Sequence, residues 1–272
     1  MIAFVLWGLG CLGLVTELPA NDRKKPTGLP QKPKEVKVRP FITDDARVVG
    51  ERLAQWESWV RIDKESWQHW NLFAYGPSSR LELTTGLVYG VAHPQDAEKR
   101  AFSYALPLVQ GKFLFREYKP NRLPGVAMVV GTFLPGGRGA FRPAGYGSFG
   151  FLTVTQSFLD GDRVLLHGNV GLNYLHVDGA NSTLATWGFG TQIRTYNGLH
   201  FVGEIFSGDP YVPGAGTSWQ VGARHFISEF AQIDATVGQG IGGANPLPFW
   251  YSAGVRLVTS AFLKKKLRSG ER

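Results

Sequence analysis

Eleven charged side chains of both signs alternate with apolar residues along this 272-residue chain, and they are the residues best placed to act on a solute. A row of such charges lining a passage can select among charged molecules. The same row can instead rigidify an interior, because buried charges must be paired. Both interpretations stay open at the level of sequence. The residues expected to line the lumen or its constriction are Glu57, Arg61, Arg80, Glu82, Lys112, Arg116, Arg194, Glu204, Arg224, Asp234 and Arg256.

The spacing of these charges predicts cross-strand pairs. A tight turn at 228–230 would place Arg224 directly opposite Asp234, and opposite charges so placed contribute a few tenths to about 1 kcal/mol. Placing Glu204 beside Arg194 requires a three-residue turn after residue 196. The two charges of the first predicted strand would continue the series across the closure of the sheet.

The elements that must carry these charges are strands. Residues 80–89 are typical, because the leucines and Tyr89 share one face while charged and small residues share the other. Period-two alternation indicates a strand, and about a dozen such stretches of about ten residues indicate a transmembrane antiparallel β-barrel. The mean hydropathy of −0.09 argues against a bundle of apolar transmembrane helices. The predicted fold class is therefore all-β, a barrel of about 12 strands.

The link lengths orient the predicted barrel. Most even-numbered links are tight and most odd-numbered links are longer, which matches short periplasmic turns, long external loops and periplasmic termini. The predicted strands are 51–63, 66–75, 79–91, 101–117, 125–134, 146–158, 163–176, 184–196, 199–207, 217–228, 231–240 and 248–262.

Both ends of the chain differ from the barrel in composition. We assign residues 1–20 to a signal peptide, 21–50 to a Pro/Lys-rich periplasmic leader, 51–262 to the outer-membrane barrel and 263–272 to a basic periplasmic tail. The net charge of +8 comes largely from the leader and the tail. Charges at the two ends fit solvation or contact with anionic headgroups better than a nucleic-acid surface, so no nucleic-acid partner is expected.

The sequence contains no nucleophile elbow, no Walker loop, no His-Glu-x-x-His motif and no paired metal-ligand spacing. The six histidines are scattered singly. We therefore expect no catalytic residue, no metal and no cofactor, and no enzyme activity. Outer-membrane lipases do use a Ser/His pair on the barrel wall, but no pattern in this sequence selects such a pair.

The segment before the first strand, Arg39–Gly50, reads RPFITDDARVVG. It resembles the opening of the meta-pathway phenol-degradation family of outer-membrane transporters, and the stretch Arg80–Leu83 is similar to the third strand of that family. The resemblance implies an outer-membrane barrel that passes small, often aromatic or hydrophobic compounds. It supplies no catalytic residues, and the basic tail departs from the family's usual ending.

The sequence thus predicts a Gram-negative outer-membrane channel or transporter for small solutes. Its expected partners are membrane lipids and lipopolysaccharide, the solute, and the barrel-insertion machinery. Two alternatives are a structural or adhesive barrel whose lumen those same charges block, and a lipid-modifying outer-membrane enzyme.

Overall fold

A computed structural model describes residues 42–92, 101–159, 162–209, 212–243 and 245–259. These residues form a closed barrel of 12 antiparallel strands, in which each strand pairs with its neighbours in the chain and β1 pairs with β12. The predicted fold class is confirmed. The predicted signal peptide, most of the leader and the basic tail lie outside the described residues.

The strands follow the predicted positions closely. Their bounds are β1 Ala54–Asp63, β2 Ser66–Ser78, β3 Leu81–Ala92, β4 Ala101–Arg116, β5 Gly125–Arg138, β6 Tyr146–Phe158, β7 Val164–Val177, β8 Ala180–Tyr196, β9 Leu199–Asp209, β10 Val212–Phe226, β11 Ala231–Gly242 and β12 Trp250–Val258.

Alternation of side chains explains why the sheet closes. Phe73, Leu83 and Leu152 are large apolar residues that remain 44–49% exposed on the outer wall, while Thr153 and Gln232 are fully buried inside. An apolar outer face is compatible with the hydrocarbon of a membrane. Closure of the barrel gives the backbone N–H and C=O groups of the edge strands hydrogen-bond partners, which lipid cannot supply.

Two predicted long links are strand instead. The link expected at 177–183 is a two-residue turn, Asp178–Gly179, with φ of 50° and 80°. Two residues with positive φ match the twist of a hairpin, so β7 and β8 extend to meet them. Strands β9 and β10 likewise extend into the link expected at 207–217.

The two ends of the barrel differ in the chain segments that they carry. The end called proximal carries the start of β1 and the end of β12, where Gln55 lies opposite Val258. The distal end carries the β1–β2 turn and the loop after β5, which contains a short 3-10 helix, Gly139–Phe141. Within the described ranges, no helix has the length and apolar character needed to cross a membrane.

Candidate functional site: the barrel lumen

Eight of the eleven predicted lumen charges lie inside the barrel, each at most 8% exposed. Alternation along the strands brings them to the inner face, where the wall excludes bulk water. The eight are Glu57, Arg61, Glu82, Lys112, Glu204, Arg224, Asp234 and Arg256.

The register confirms two predicted relations between these charges. Arg224 lies directly opposite Asp234 across β10 and β11, as the tight turn predicted. Glu57 lies opposite Arg256 across the β1–β12 closure, with 3.9 Å between the Arg256 Nε and the Glu57 Oε1. The series of charges therefore continues around the seam of the barrel.

The predicted placement of Glu204 beside Arg194 is wrong. Asn197 and Gly198 form a two-residue turn, with an irregular register between residues 194 and 196. Glu204 consequently lies opposite Gly190, and alternation along β9 directs its carboxylate into the lumen.

The remaining predicted charges lie at the proximal rim and not in the buried lumen. Arg80 precedes β3, Arg116 ends β4, and Arg194 lies near the end of β8. All three are exposed. The Arg116 Nε donates a hydrogen bond to the Pro124 carbonyl oxygen at 2.9 Å, so its side chain folds back on the adjacent turn.

Residues 42–50, at the end of the predicted leader, lie inside the barrel and are called the plug segment here. Their backbone is held by carboxylates of the wall. Glu204 accepts hydrogen bonds from the Ile42 and Thr43 N–H groups at 3.2 and 2.7 Å. Glu82 accepts one from the Val49 N–H at 2.6 Å. Charge-assisted bonds of this kind are about twice as strong as neutral ones.

Side chains add a second set of plug contacts. The Lys112 ammonium lies 2.8 Å from the Asp44 carboxylate and 3.9 Å from that of Asp45. The Thr155 hydroxyl accepts a hydrogen bond from the Ala46 N–H at 2.8 Å, and the Thr153 hydroxyl donates one to the Asp44 carbonyl at 2.6 Å. The plug segment is thus bonded to β3, β4, β6 and β9, around much of the lumen.

Glycines in the wall make room for the plug segment. A Cβ atom added at Gly188 would collide with the Thr43 hydroxyl. One added at Gly125 would lie 3.3 Å from the Ala46 Cβ. A larger residue at Gly188 would push the plug segment away from β8.

Part of the lumen wall is apolar, a feature that the alternation pattern did not reveal. Leu72, Leu108, Val129 and Phe149 form a buried cluster on the inner face of β2, β4, β5 and β6. Tryptophans 59 and 70 stack nearby with 5.7 Å between ring centroids. The period-two pattern of a single strand does not reveal this cluster, because its residues come from four different strands and become neighbours only in the folded barrel.

An apolar cavity of about 500 Å³ lies near the distal end. Its wall includes Trp70, Leu108 and Phe133, and the loop after β5 covers it with Phe141 and Arg142. The Ser103 hydroxyl accepts a hydrogen bond from the Ala140 N–H at 3.1 Å, which ties this loop to β4. A cavity of this size with a few polar groups is typical of small-molecule sites.

Comparisons with known proteins identify the fold. No protein-family profile matches the chain, and no curated protein matches its sequence. The structure is similar to the COG4313 outer membrane channel from Pseudomonas putida F1, with a TM-score of 0.62, 10% identity, and coverage of 82% of this chain and 100% of that one.

The KdgM porin is a second similar structure, with a TM-score of 0.52, 10% identity, and coverage of 75% of this chain and 98% of that one. The KdgM porin in complex with disordered oligogalacturonate also matches at a TM-score of 0.52 and 9% identity, with coverage of 75% of this chain and 98% of that one. The chain thus has the fold of outer-membrane barrel channels. With its apolar outer wall, this fold places it in the outer membrane.

Proposed function

We propose that the protein is an outer-membrane channel for small solutes, including aromatic or hydrophobic ones, and that the plug segment must move for a solute to pass. The observation that carries the proposal is the lumen itself, in which an apolar cavity adjoins a charge-lined interior. A 12-stranded barrel is wider than the eight-stranded size that side chains alone fill. The transport function needs no catalytic residue.

The aromatic preference rests on two supports. One is the cavity wall with Trp70 and Phe133, which offers ring faces for stacking. The other is the resemblance of residues 39–50 to the meta-pathway phenol-degradation family. Periplasmic termini, surrounding lipopolysaccharide and delivery by the insertion machinery belong to the same proposal.

A disulfide between the plug segment and the wall tests whether the segment moves. The Thr43 Cβ lies 3.4 Å from the Cβ position of a side chain at Gly190, near the range that a disulfide spans. We expect Thr43→Cys/Gly190→Cys, in a Cys11→Ser background, to lose single-channel conductance in planar bilayers when oxidised. Reduction should restore it.

The single variants Thr43→Cys and Gly190→Cys are the controls for this experiment. If the oxidised double variant conducts as well as they do, passage does not require the plug segment to move. If none of the proteins conducts, the channel proposal is wrong and the alternative of a blocked barrel with a structural or adhesive role takes its place. The hydrogen bonds that hold the plug segment inside the barrel also favour this alternative.

Solute selectivity is tested separately. Vesicles containing the protein should take up benzoate anions faster than a sugar of similar size, because only the aromatic solute gains from the apolar cavity. If the protein accelerates the uptake of both solutes equally, relative to protein-free vesicles, the aromatic preference is contradicted but the channel function is retained.

A further inference from the structure

Three polar side chains form a cluster on the outer wall, across strands β1, β2 and β3. Alternation puts Ser58 on the same face as Ile62, and His69 on the same face as Phe73, both of which are exposed apolar residues. Tyr89 has the same outward position on β3. A polar group in hydrocarbon costs several kcal/mol unless it is satisfied, so these positions call for an explanation.

The cluster has the geometry of a nucleophile and its base. The Ser58 Oγ lies 2.7 Å from the His69 Nε2, and the His69 Nδ1 lies 2.5 Å from the Tyr89 hydroxyl oxygen. When the Ser58 hydroxyl donates to Nε2, Nδ1 carries the other proton and donates to Tyr89. A nucleophile bonded to a base that a third group orients is the arrangement that activates a serine.

A neighbouring amide supplies a hydrogen-bond donor beside the serine. Asn71 lies directly opposite Ser58 in the β1–β2 register. The Trp56 indole N–H donates to the Asn71 Oδ1 at 3.1 Å, which fixes the amide so that its amino group is the donor available to another partner. Side-chain amides in such positions stabilise the oxyanion of acyl transfer.

The cluster lies near the distal end of its strands. His69 and Tyr89 each lie three residues from the distal end of their strand, which is about 10 Å along the strand. Trp67 packs against Tyr89 with 6.3 Å between ring centroids, and Tyr89 packs against Phe102 at the same distance. Aromatic residues near strand ends lie at the membrane interface.

We propose that Ser58 and His69 form an acyl-ester hydrolase site that faces the lipid, with Tyr89 as a positioning residue and Asn71 as the oxyanion donor. The substrate class is an acyl ester of an outer-leaflet lipid, a choice of leaflet that rests on the periplasmic termini of the proposed function. This activity goes beyond the proposed channel function and differs from the sequence-based expectation of no enzyme activity. Because Ser58 is only 7% exposed, the ester must enter between its larger neighbours on the wall.

The reaction uses water as the only co-reactant. The Ser58 Oγ bonds to the ester carbonyl carbon while His69 Nε2 takes the hydroxyl proton. The ester C–O bond then breaks, and the proton passes to the departing alkoxide, which leaves as an alcohol. Water attacks the acyl-serine, His69 takes its proton, and the proton returns to Ser58 as the fatty acid is released. No oxidant or reductant is consumed.

The first test is covalent labelling of the full-length protein in phospholipid vesicles with a long-chain fluorophosphonate. We expect mass spectrometry to find the label on Ser58, and fatty acid to be released from the vesicle lipid. Ser58→Ala should abolish both. His69→Gln should lower the rate by about 100-fold or more, as removal of a general base does. Folding of each variant is checked by its heat-dependent electrophoretic mobility.

A matched control and a positioning variant complete the test. Ser148→Ala removes another outward serine, one bonded to the Thr132 hydroxyl and not to a histidine, and should leave the rate unchanged. Tyr89→Phe should shift the pH–rate profile, which a packing role alone would not do. Folded wild-type protein with no label on Ser58 and no release above that of Ser58→Ala would overturn the proposal. Conductance is measured on the same proteins, and Ser58→Ala should keep it.

Discussion

Three carboxylates meet around one buried ammonium in the lumen. Lys112 contacts Asp44 and Asp45 of the plug segment and lies opposite Glu82 on the neighbouring strand. Alternation along β4 predicted from sequence that Lys112 faces inward. Its two plug partners could not be predicted, because they belong to a segment without a strand pattern whose position depends on the whole wall.

Removal of this ammonium should destabilise the barrel strongly. We expect Lys112→Met to lower the free energy of unfolding by about 3–5 kcal/mol, because it leaves buried carboxylates without their partner. Urea unfolding in phospholipid vesicles measures the change. Arg116→Met is the control, since that guanidinium is exposed at the rim, and should change the free energy by less than about 1 kcal/mol. Equal losses in both variants would contradict the role assigned to Lys112.

At the scale of elements, the strands could be predicted from the sequence, whereas the position of the plug segment could not. The strands and the Arg224–Asp234 register were predictable, because period two and a tight turn are local signals. The plug segment was not, because its backbone N–H groups bond to the distant carboxylates of Glu82 and Glu204. Only the closed barrel brings these groups together.

The close fit between the plug segment and β8 gives a prediction for this element. A side chain in Gly188→Val would collide with Thr43, so we expect the plug segment to be displaced and single-channel conductance to rise. Gly168→Val is the control, since a Cβ there meets no atom within 4 Å. An unchanged conductance in folded Gly188→Val would show that the plug segment does not limit passage.

At the scale of the whole molecule, the barrel wall has an outer face toward lipid and an inner face toward the lumen. The outer face meets lipid, whereas the inner face holds buried charges from β1, β3, β4 and β9 to β12, together with an apolar cluster on β2, β4, β5 and β6. The sequence predicted the outer band, whereas the apolar cluster of the inner face depends on which strands become neighbours. The outer band is therefore the simplest feature with which to test the membrane placement.

A charge placed at mid-height on the outer wall should be costly. Leu152 is the seventh of the 13 residues of β6 and is 44% exposed. We expect Leu152→Arg to lower the free energy of unfolding in vesicles by about 2–4 kcal/mol, and Phe158→Arg at the end of the same strand by about 0–1 kcal/mol. The cost depends on depth only if lipid surrounds the wall, so equal costs at the two positions would contradict the membrane placement.

The apolar cluster of the inner face also has a consequence for any molecule that permeates the proposed channel. Buried Arg224 and Arg256 lie on β10 and β12, while the apolar cluster lies on β2, β4, β5 and β6. A solute with a charged group on one edge and a ring on the other gains most when each edge meets its matching side. Such a molecule would travel with its rotation about the barrel axis restricted, and two isomers of equal size and charge would cross at different rates.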